Sequence, residues 1–435
     1  MARDVGTQEV PAQLEAAGLT RRRLLQAATA GAAGAALPLV ADGRVDAAGH
    51  QLPKYLRNGR FGIGIHWSRS AGICAERFGA IADSGFNLLL SAGTDGDVAS
   101  GQVLDLAHQF KLRCIARSPE LTRLATLRGG AIPPRTEWPG LVADAIEPFV
   151  AHPAVVGFHL DDETHADVFG RQAYLVDLLR SQAPEHLSLI GLMSTETAPR
   201  RLRAADFADY LQQFSQVSVP VVSAGHVATQ ANGDDHAAFA NWATARADAR
   251  RRAVPLWGTL PAAGADGQAI ALRELLWRAN VALAYGATSV TFAGEVTDES
   301  LDAVKSVNRQ WLQPVGDELA MMRSESVRHT DGRSGDEAFR PDGWIGAVEG
   351  SPVIVGSFTS RLRRDRRWSL VVNERHERSA SVTVRFGAGV HRVARFDPAD
   401  EEYRPVPGQV TAGRNSVRFG LRPGAAVLLR MSRGR

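Results

Sequence analysis

A chain of 435 residues exceeds one ordinary domain and has room for a core of about 250 residues plus a module of about 100. Hydrophobic residues at 44% and charged residues at 22% exclude a disordered chain and a multi-span membrane protein. The formal charge of +3 arises from 50 basic residues interleaved with 47 acidic ones, a pattern that speaks against a nucleic-acid partner.

The basic residues are almost all arginine, with lysine only at positions 54, 111 and 305. The dense run Arg361-Leu362-Arg363-Arg364-Asp365-Arg366-Arg367 is expected to be a solvated loop between strands. Two cysteines, Cys74 and Cys114, provide no disulfide framework, and their places in the pattern below put them near opposite ends of strands, where they should not pair.

At the amino end, Thr20-Arg21-Arg22-Arg23-Leu24-Leu25-Gln26 leads into a weakly apolar, Ala- and Gly-rich stretch over 27–41. This resembles a twin-arginine signal peptide, in which paired arginines precede a hydrophobic pair and a mild apolar region. The resemblance implies export by the Tat machinery to an extracellular or cell-envelope location, with the mature chain beginning near Ala48, after Val45-Asp46-Ala47. The alternative is a short amphipathic helix or a tail with chance arginines. As a membrane span the stretch fails: it falls short of the ~20 apolar residues required and is diluted by Gly, Thr and Pro38, so no stable span is expected once it is removed.

From residue 61 to about 323, short apolar runs alternate with longer amphipathic ones. The spacing predicts strands at 61–67, 86–92, 113–118, 155–161, 187–194, 219–224, 254–259 and 289–293. Helices are predicted between them at 75–84, 102–110, 138–151, 169–182, 204–214, 237–252 and 270–285, with an eighth from about 300 to 322. Continuous apolar strands suit a parallel sheet covered by helices, and eight βα units are the number that closes a barrel. Beyond about 324 the helical period stops. Short strand-like runs at 344–348, 352–358, 368–373, 379–384, 390–396, 416–419 and 425–431 then read as an antiparallel β-sandwich. The expected fold class is therefore α/β, a (β/α)8 TIM barrel followed by a small antiparallel β-sandwich, divided as a signal over 1–47, a barrel over 48–323 and a sandwich over 324–435.

Barrels of this type carry their chemistry at the carboxyl ends of the strands. The polar residues there are His66, Trp67 and Arg69 after strand one; Asp95 and Asp97 after strand two; Ser118 and Glu120 after strand three; and Asp161-Asp162-Glu163 after strand four. Strand five ends in Ser194-Thr195-Glu196, strand six in Ser223 with His226 beyond, strand seven carries Trp257 and Thr259, and strand eight leads to Glu295. Side-chain alternation puts Asp161 and Glu163 on one face and Asp162 on the other.

The segment His152-Pro153-Ala154-Val155-Val156-Gly157-Phe158-His159-Leu160-Asp161-Asp162-Glu163 resembles the strand-four region of glycoside-hydrolase barrels, where an apolar strand closes on an acidic pair. Leu283-Ala284-Tyr285-Gly286-Ala287-Thr288-Ser289-Val290-Thr291-Phe292 is similar to the passage from seventh helix to eighth strand in the same proteins. The resemblance implies a hydrolase acting on a carbohydrate substrate through two strand-end carboxylates, one giving a proton to the leaving oxygen and the other attacking the sugar or activating water. Glu163 suits the proton donor because its acidic neighbours raise a carboxyl pKa. In the large retaining superfamily the strand-four acid follows an Asn and a Glu ends strand seven. Here Asp162 precedes Glu163 and strand seven meets no acid until Asp266, so the expected second carboxylate is Glu295 at the end of strand eight, with Glu196 the alternative.

Trp67 and Trp257 are candidate platforms for sugar rings, and Asp161, His66 and His226 candidate hydroxyl partners; the alternative places each Trp in ordinary packing and each His in a structural role. The acids, alternatively, cap the following helix or pair with rim arginines, as in a non-catalytic carbohydrate-binding barrel. No metal and no cofactor are expected. Ile65-His66-Trp67 lacks the His-x-His of metal-dependent barrels, and Gly62-Ile63-Gly64 lies within a strand rather than in a phosphate loop.

Overall fold

The computed structural model describes residues 45–66, 73–92, 98–127, 132–224, 236–261, 270–293, 298–332, 338–360, 363–406, 410–411 and 414–433. Eight parallel strands, β1 (Gly62–His66), β2 (Leu88–Ala92), β3 (Arg113–Ala116), β4 (Val155–Asp161), β5 (Leu187–Ile190), β6 (Val222–Ala224), β7 (Leu256–Pro261) and β8 (Ala287–Ala293), pair in the order β5-β4-β3-β2-β1-β8-β7-β6. A parallel bridge from Gly191 to Ser223 joins the two ends of that order, with Leu192 N–H donating to the Ser223 carbonyl at 3.1 Å. This is the expected (β/α)8 barrel, and the apolar strands are continuous because helices cover them.

The helices are α1 (Lys54–Arg57) ahead of β1, then α2 (Ala75–Asp83), α3 (Val98–Gln109), α4 (Pro119–Thr126), α5 (Trp138–Val150), α6 (Phe169–Gln182), α7 (Pro199–Leu202), α8 (Phe207–Phe214), α9 (His236–Arg252), α10 (Leu272–Ala284), α11 (Asp298–Val307) and α12 (Gln313–Ala320). The bounds of β4 and α6 are those the periodicity predicts, whereas α4 was not anticipated. It is too short to show a repeating stripe, and what starts it is local: Ser118 Oγ accepts from Leu121 N–H at 3.4 Å and Pro119 occupies the first turn. The single helix expected near the end of the barrel is broken by a π-helical turn at Asn308–Leu312. There the fully buried Asn308 gives its Nδ2 to the Ser84 carbonyl at 3.0 Å, tying this turn to the end of α2.

The interior is kept narrow by glycine on β1. A Cβ at Gly64 would stand 2.6 Å from Leu90 Cδ1 and 2.9 Å from Thr291 Cγ2, so neighbouring strands fill the space a side chain would need. At Gly62 the partly buried Tyr55 of α1 approaches as closely as 3.0 Å to that same imaginary position, plugging the amino-terminal end of the barrel.

Ten further strands follow: β9 (Arg323–His329), β10 (Ile345–Gly350), β11 (Val353–Thr359), β12 (Arg366–Asn373), β13 (Ala380–Phe386), β14 (Val390–Asp397), β15 (Glu402–Pro405), β16 (Val410–Thr411), β17 (Arg414–Leu421) and β18 (Ala426–Arg433). They form a four-stranded sheet, β10-β13-β17-β16, and a six-stranded one, β15-β14-β18-β12-β11-β9, packed as a sandwich. The central strands of the six-stranded sheet, β18, β12 and β11, are buried on both faces. Val353, Val355, Val371, Val427 and Leu429 pack toward the other sheet, while Ile354, Leu370, Val372 and Leu428 join the barrel core. Arg366 and Arg367 begin β12, so the end of the arginine run is strand rather than the loop expected of it; 361–362 lie outside the described residues. Both cysteines are free, Cys74 exposed ahead of α2 and Cys114 buried in β3. Among the described residues no helix is long and apolar enough to cross a membrane.

Candidate functional site

The side-chain period of two aims Gly157 and His159 of β4 into the barrel, and His159 is fully buried there beside the end of β1. Its ring meets His66 edge-on with centroids 6.4 Å apart. Strand β4 ends at Asp161, and the chain then departs from extended geometry. Glu163 takes a left-handed φ of +49°, unusual for a residue with a side chain. The turn is pinned from beneath by buried groups. Gln172 of α6 donates to Thr164 Oγ1 at 2.6 Å, Tyr210 of α8 donates to the Thr164 carbonyl at 2.9 Å, and Tyr210 Oη accepts from Met193 N–H at 3.3 Å.

The departure from extended geometry redirects all three acids. Asp162 folds back over the mouth, where its Oδ1 accepts from His159 Nε2 at 2.9 Å while 47% of its side chain stays exposed. Burial works against a charge on Asp162. The hydrogen bond from His159 and the positive character of His159, His66 and Arg117 outweigh it and hold the carboxyl below its ordinary 3.8. Asp161 turns the other way, accepting from Gln172 Nε2 at 3.2 Å; burial, aided by the charge of Asp162 and opposed by a hydrogen bond from Thr164, pushes its pKa up. Burial lowers the pKa of His66 below 6.5 against the pull of Asp162, which leaves it a neutral imidazole at pH 7.

The close fit depends on Gly191 at the end of β5. A Cβ there would stand 2.9 Å from Asp162 Oδ1 and 3.4 Å from its Cα, so only glycine leaves the carboxylate its place. Parts of β1, β3, β4 and β5 thus converge on one ionised carboxylate with two imidazoles and a guanidinium nearby.

Several expectations need correction. Glu163 does not share a face with Asp161 and does not lean over the mouth. Its carboxylate is paired with Arg201 of α7, and the two side chains are 62% and 61% exposed. The pairing turns this carboxylate toward α7 and away from the acids at the end of β4. Trp257 is 1% exposed and meets Tyr55 edge-on, centroids 6.1 Å apart, near the plugged end of the barrel, so it is core and not a sugar platform. Asp161 holds the turn through its bond from Gln172. Glu196 is exposed, in the turn that Thr197 N–H closes onto the Ser194 carbonyl at 3.1 Å. Trp67, His226 and Glu295 lie outside the described residues. What the sequence reading missed is His159, Asp162 and Gly191. Period two along β4 was the available signal for His159, since it places an imidazole inside a strand otherwise apolar.

Neither a family model nor a curated protein sequence matches the chain. Solved structures do match in shape. One described as a glycoside hydrolase superposes with a TM-score of 0.51 at 9% identity, covering 86% of this chain and 93% of its own. A GH27 β-L-arabinopyranosidase from Geobacillus stearothermophilus, in complex with arabinose, superposes with a TM-score of 0.50 at 9% identity, covering 88% of this chain and all of its own. At that identity the likeness is one of fold: a barrel with a trailing β-sandwich, distantly similar to glycoside hydrolases.

Proposed function

We propose that the chain is a hydrolase of O-glycosidic bonds, exported by the twin-arginine route, with Asp162 as the ionised carboxylate that attacks the sugar or activates water. The observation that carries this reading is the Asp162–His159 contact of 2.9 Å at the barrel mouth, which keeps a half-exposed carboxylate charged and aimed. Neutral His66 supplies a hydrogen-bond partner for a substrate hydroxyl, and Arg117 adds positive potential beside the carboxylate. The proton donor for the leaving oxygen falls to the loops after the later strands, where Glu295 remains the candidate. Carbohydrate as substrate rests on the fold shared with glycoside hydrolases and on the sequence of β4.

A carbohydrate-binding barrel without catalysis is the second reading, and the pairing of Glu163 with Arg201 favours it, because it removes one carboxylate from service. Screening the purified chain against aryl glycosides and polysaccharides separates the two. The hydrolase reading expects turnover of at least one substrate, lost in Asp162→Asn. Saturable binding of an oligosaccharide without turnover of any substrate would instead establish the binding barrel.

A further inference from the structure

We propose that His329, Asp331 and Glu374 form a binding site for a divalent transition-metal ion, zinc by the chemistry of its donors, at the seam between the six-stranded sheet and the barrel helices. One ligand atom from each of the three residues lies within 4.8 Å of the others. His329 ends β9 and is fully buried; Glu374 follows the end of β12, its side chain 11% exposed. Two donors bound to one tetrahedral zinc stand about 3.3 to 3.5 Å apart, given bonds of about 2.0 to 2.2 Å. His329 Nδ1 and Glu374 Oε2 are 3.5 Å apart, wider than a charge-assisted hydrogen bond and matched to the edge of such a tetrahedron.

A second observation points the same way. Glu374 Oε2 is buried and accepts no hydrogen bond, a costly state for a carboxylate oxygen that a cation would relieve. The other imidazole nitrogen is already committed: His329 Nε2 lies 2.9 Å from the hydroxyl of the fully buried Tyr285. With Nε2–H donated to that hydroxyl, Nδ1 is the lone-pair nitrogen and is turned toward the carboxylates, the orienting role that outer partners play around metal-bound histidines. One imidazole with two carboxylates cancels a dication's charge and is a mixed N/O set suited to zinc, less so to calcium, which prefers oxygen alone. Asp331, partly buried like Glu374, completes the set from just beyond the end of β9. The site ties β9 and β12 to the end of α10 through Tyr285, so metal would fasten the sandwich to the barrel.

The test is calorimetric titration of the chelator-treated full chain with zinc chloride, with thermal melting in parallel. The proposal expects one equivalent bound and a rise in Tm. Affinity should fall at least tenfold in Glu374→Gln and in Asp331→Asn, and by about 10- to 100-fold in Tyr285→Phe, which keeps all three ligands. Because Asp331 lies beyond the end of β9, its variant keeps the test decisive if Glu374→Gln folds poorly. No saturable zinc uptake by the wild-type chain, or uptake of undiminished affinity in Asp331→Asn and Glu374→Gln, would overturn the site.

Discussion

At the scale of single residues, the mouth of the barrel is organised by one left-handed residue and one glycine. Glu163 at φ +49° ends the alternation of β4, and Gly191 leaves the space into which Asp162 then folds. Acidic character at the end of β4 was legible in the sequence. The choice of which acid faces the mouth was not, because extrapolating period two past Asp161 presumes extended backbone that the turn abandons. Gly191→Ala is therefore expected to push Asp162 off His159 and lower turnover at least tenfold while the far-ultraviolet circular dichroism stays unchanged; full activity in that variant would show that the contact is not needed. His66 yields a stability prediction. Its folded pKa lies below 6.5, so as pH falls below 6.5 the unfolded chain takes up a proton that the native imidazole refuses, and stability drops with acidification. Urea midpoints at about pH 7 and pH 5 should differ by less in His66→Gln than in the wild-type chain, after allowance for the shared carboxylate titrations.

At the scale of elements, what the sequence reveals depends on how many faces an element buries. Strands β11, β12 and β18 are buried on both sides over most of their length and read as largely apolar runs, and β13 shows clean alternation because one face meets solvent. Strand β9 was not foreseen, since among Arg323–His329 only Val327 and His329 are buried and no apolar pattern emerges. Its position comes instead from pairing along β11. The docking of the sheet on α10 hangs on a close backbone approach: a Cβ at Gly356 of β11 would stand 2.6 Å from the Ala284 carbonyl oxygen and 2.9 Å from its Cα. Backbone on both sides cannot yield, so Gly356→Val should cost about 1–3 kcal/mol or more. A urea midpoint equal to that of the wild-type chain would refute this account of the seam.

For the whole molecule, the barrel and the six-stranded sheet share one apolar core, with Ile354, Phe358, Trp368, Leu370 and Leu428 packed among barrel residues. Sequence periodicity separated the two parts by their change of period, but it held no sign that they bury a face in common. A chain cut after Met322 would lay this face bare, so it should aggregate or melt well below the full-length protein, as light scattering during a thermal ramp would record. If the truncated barrel melts at the same temperature and stays monomeric, the shared core contributes little. The amino-terminal arginines set a separate expectation about where the molecule works. Replacing Arg22 and Arg23 with lysine should retain the protein in the cytoplasm on cell fractionation, and unchanged export would remove the twin-arginine reading.

The most direct measurement compares kcat/KM of Asp162→Asn and Glu163→Gln on the best substrate found by screening, with thermal melts to confirm that both variants are folded. An ionised carboxylate held by His159 at the barrel mouth predicts a fall of three or more orders of magnitude, roughly 4 kcal/mol in the barrier, for Asp162→Asn and less than tenfold for Glu163→Gln. The reverse ranking, with Glu163→Gln inactive and Asp162→Asn near wild type, would contradict the account.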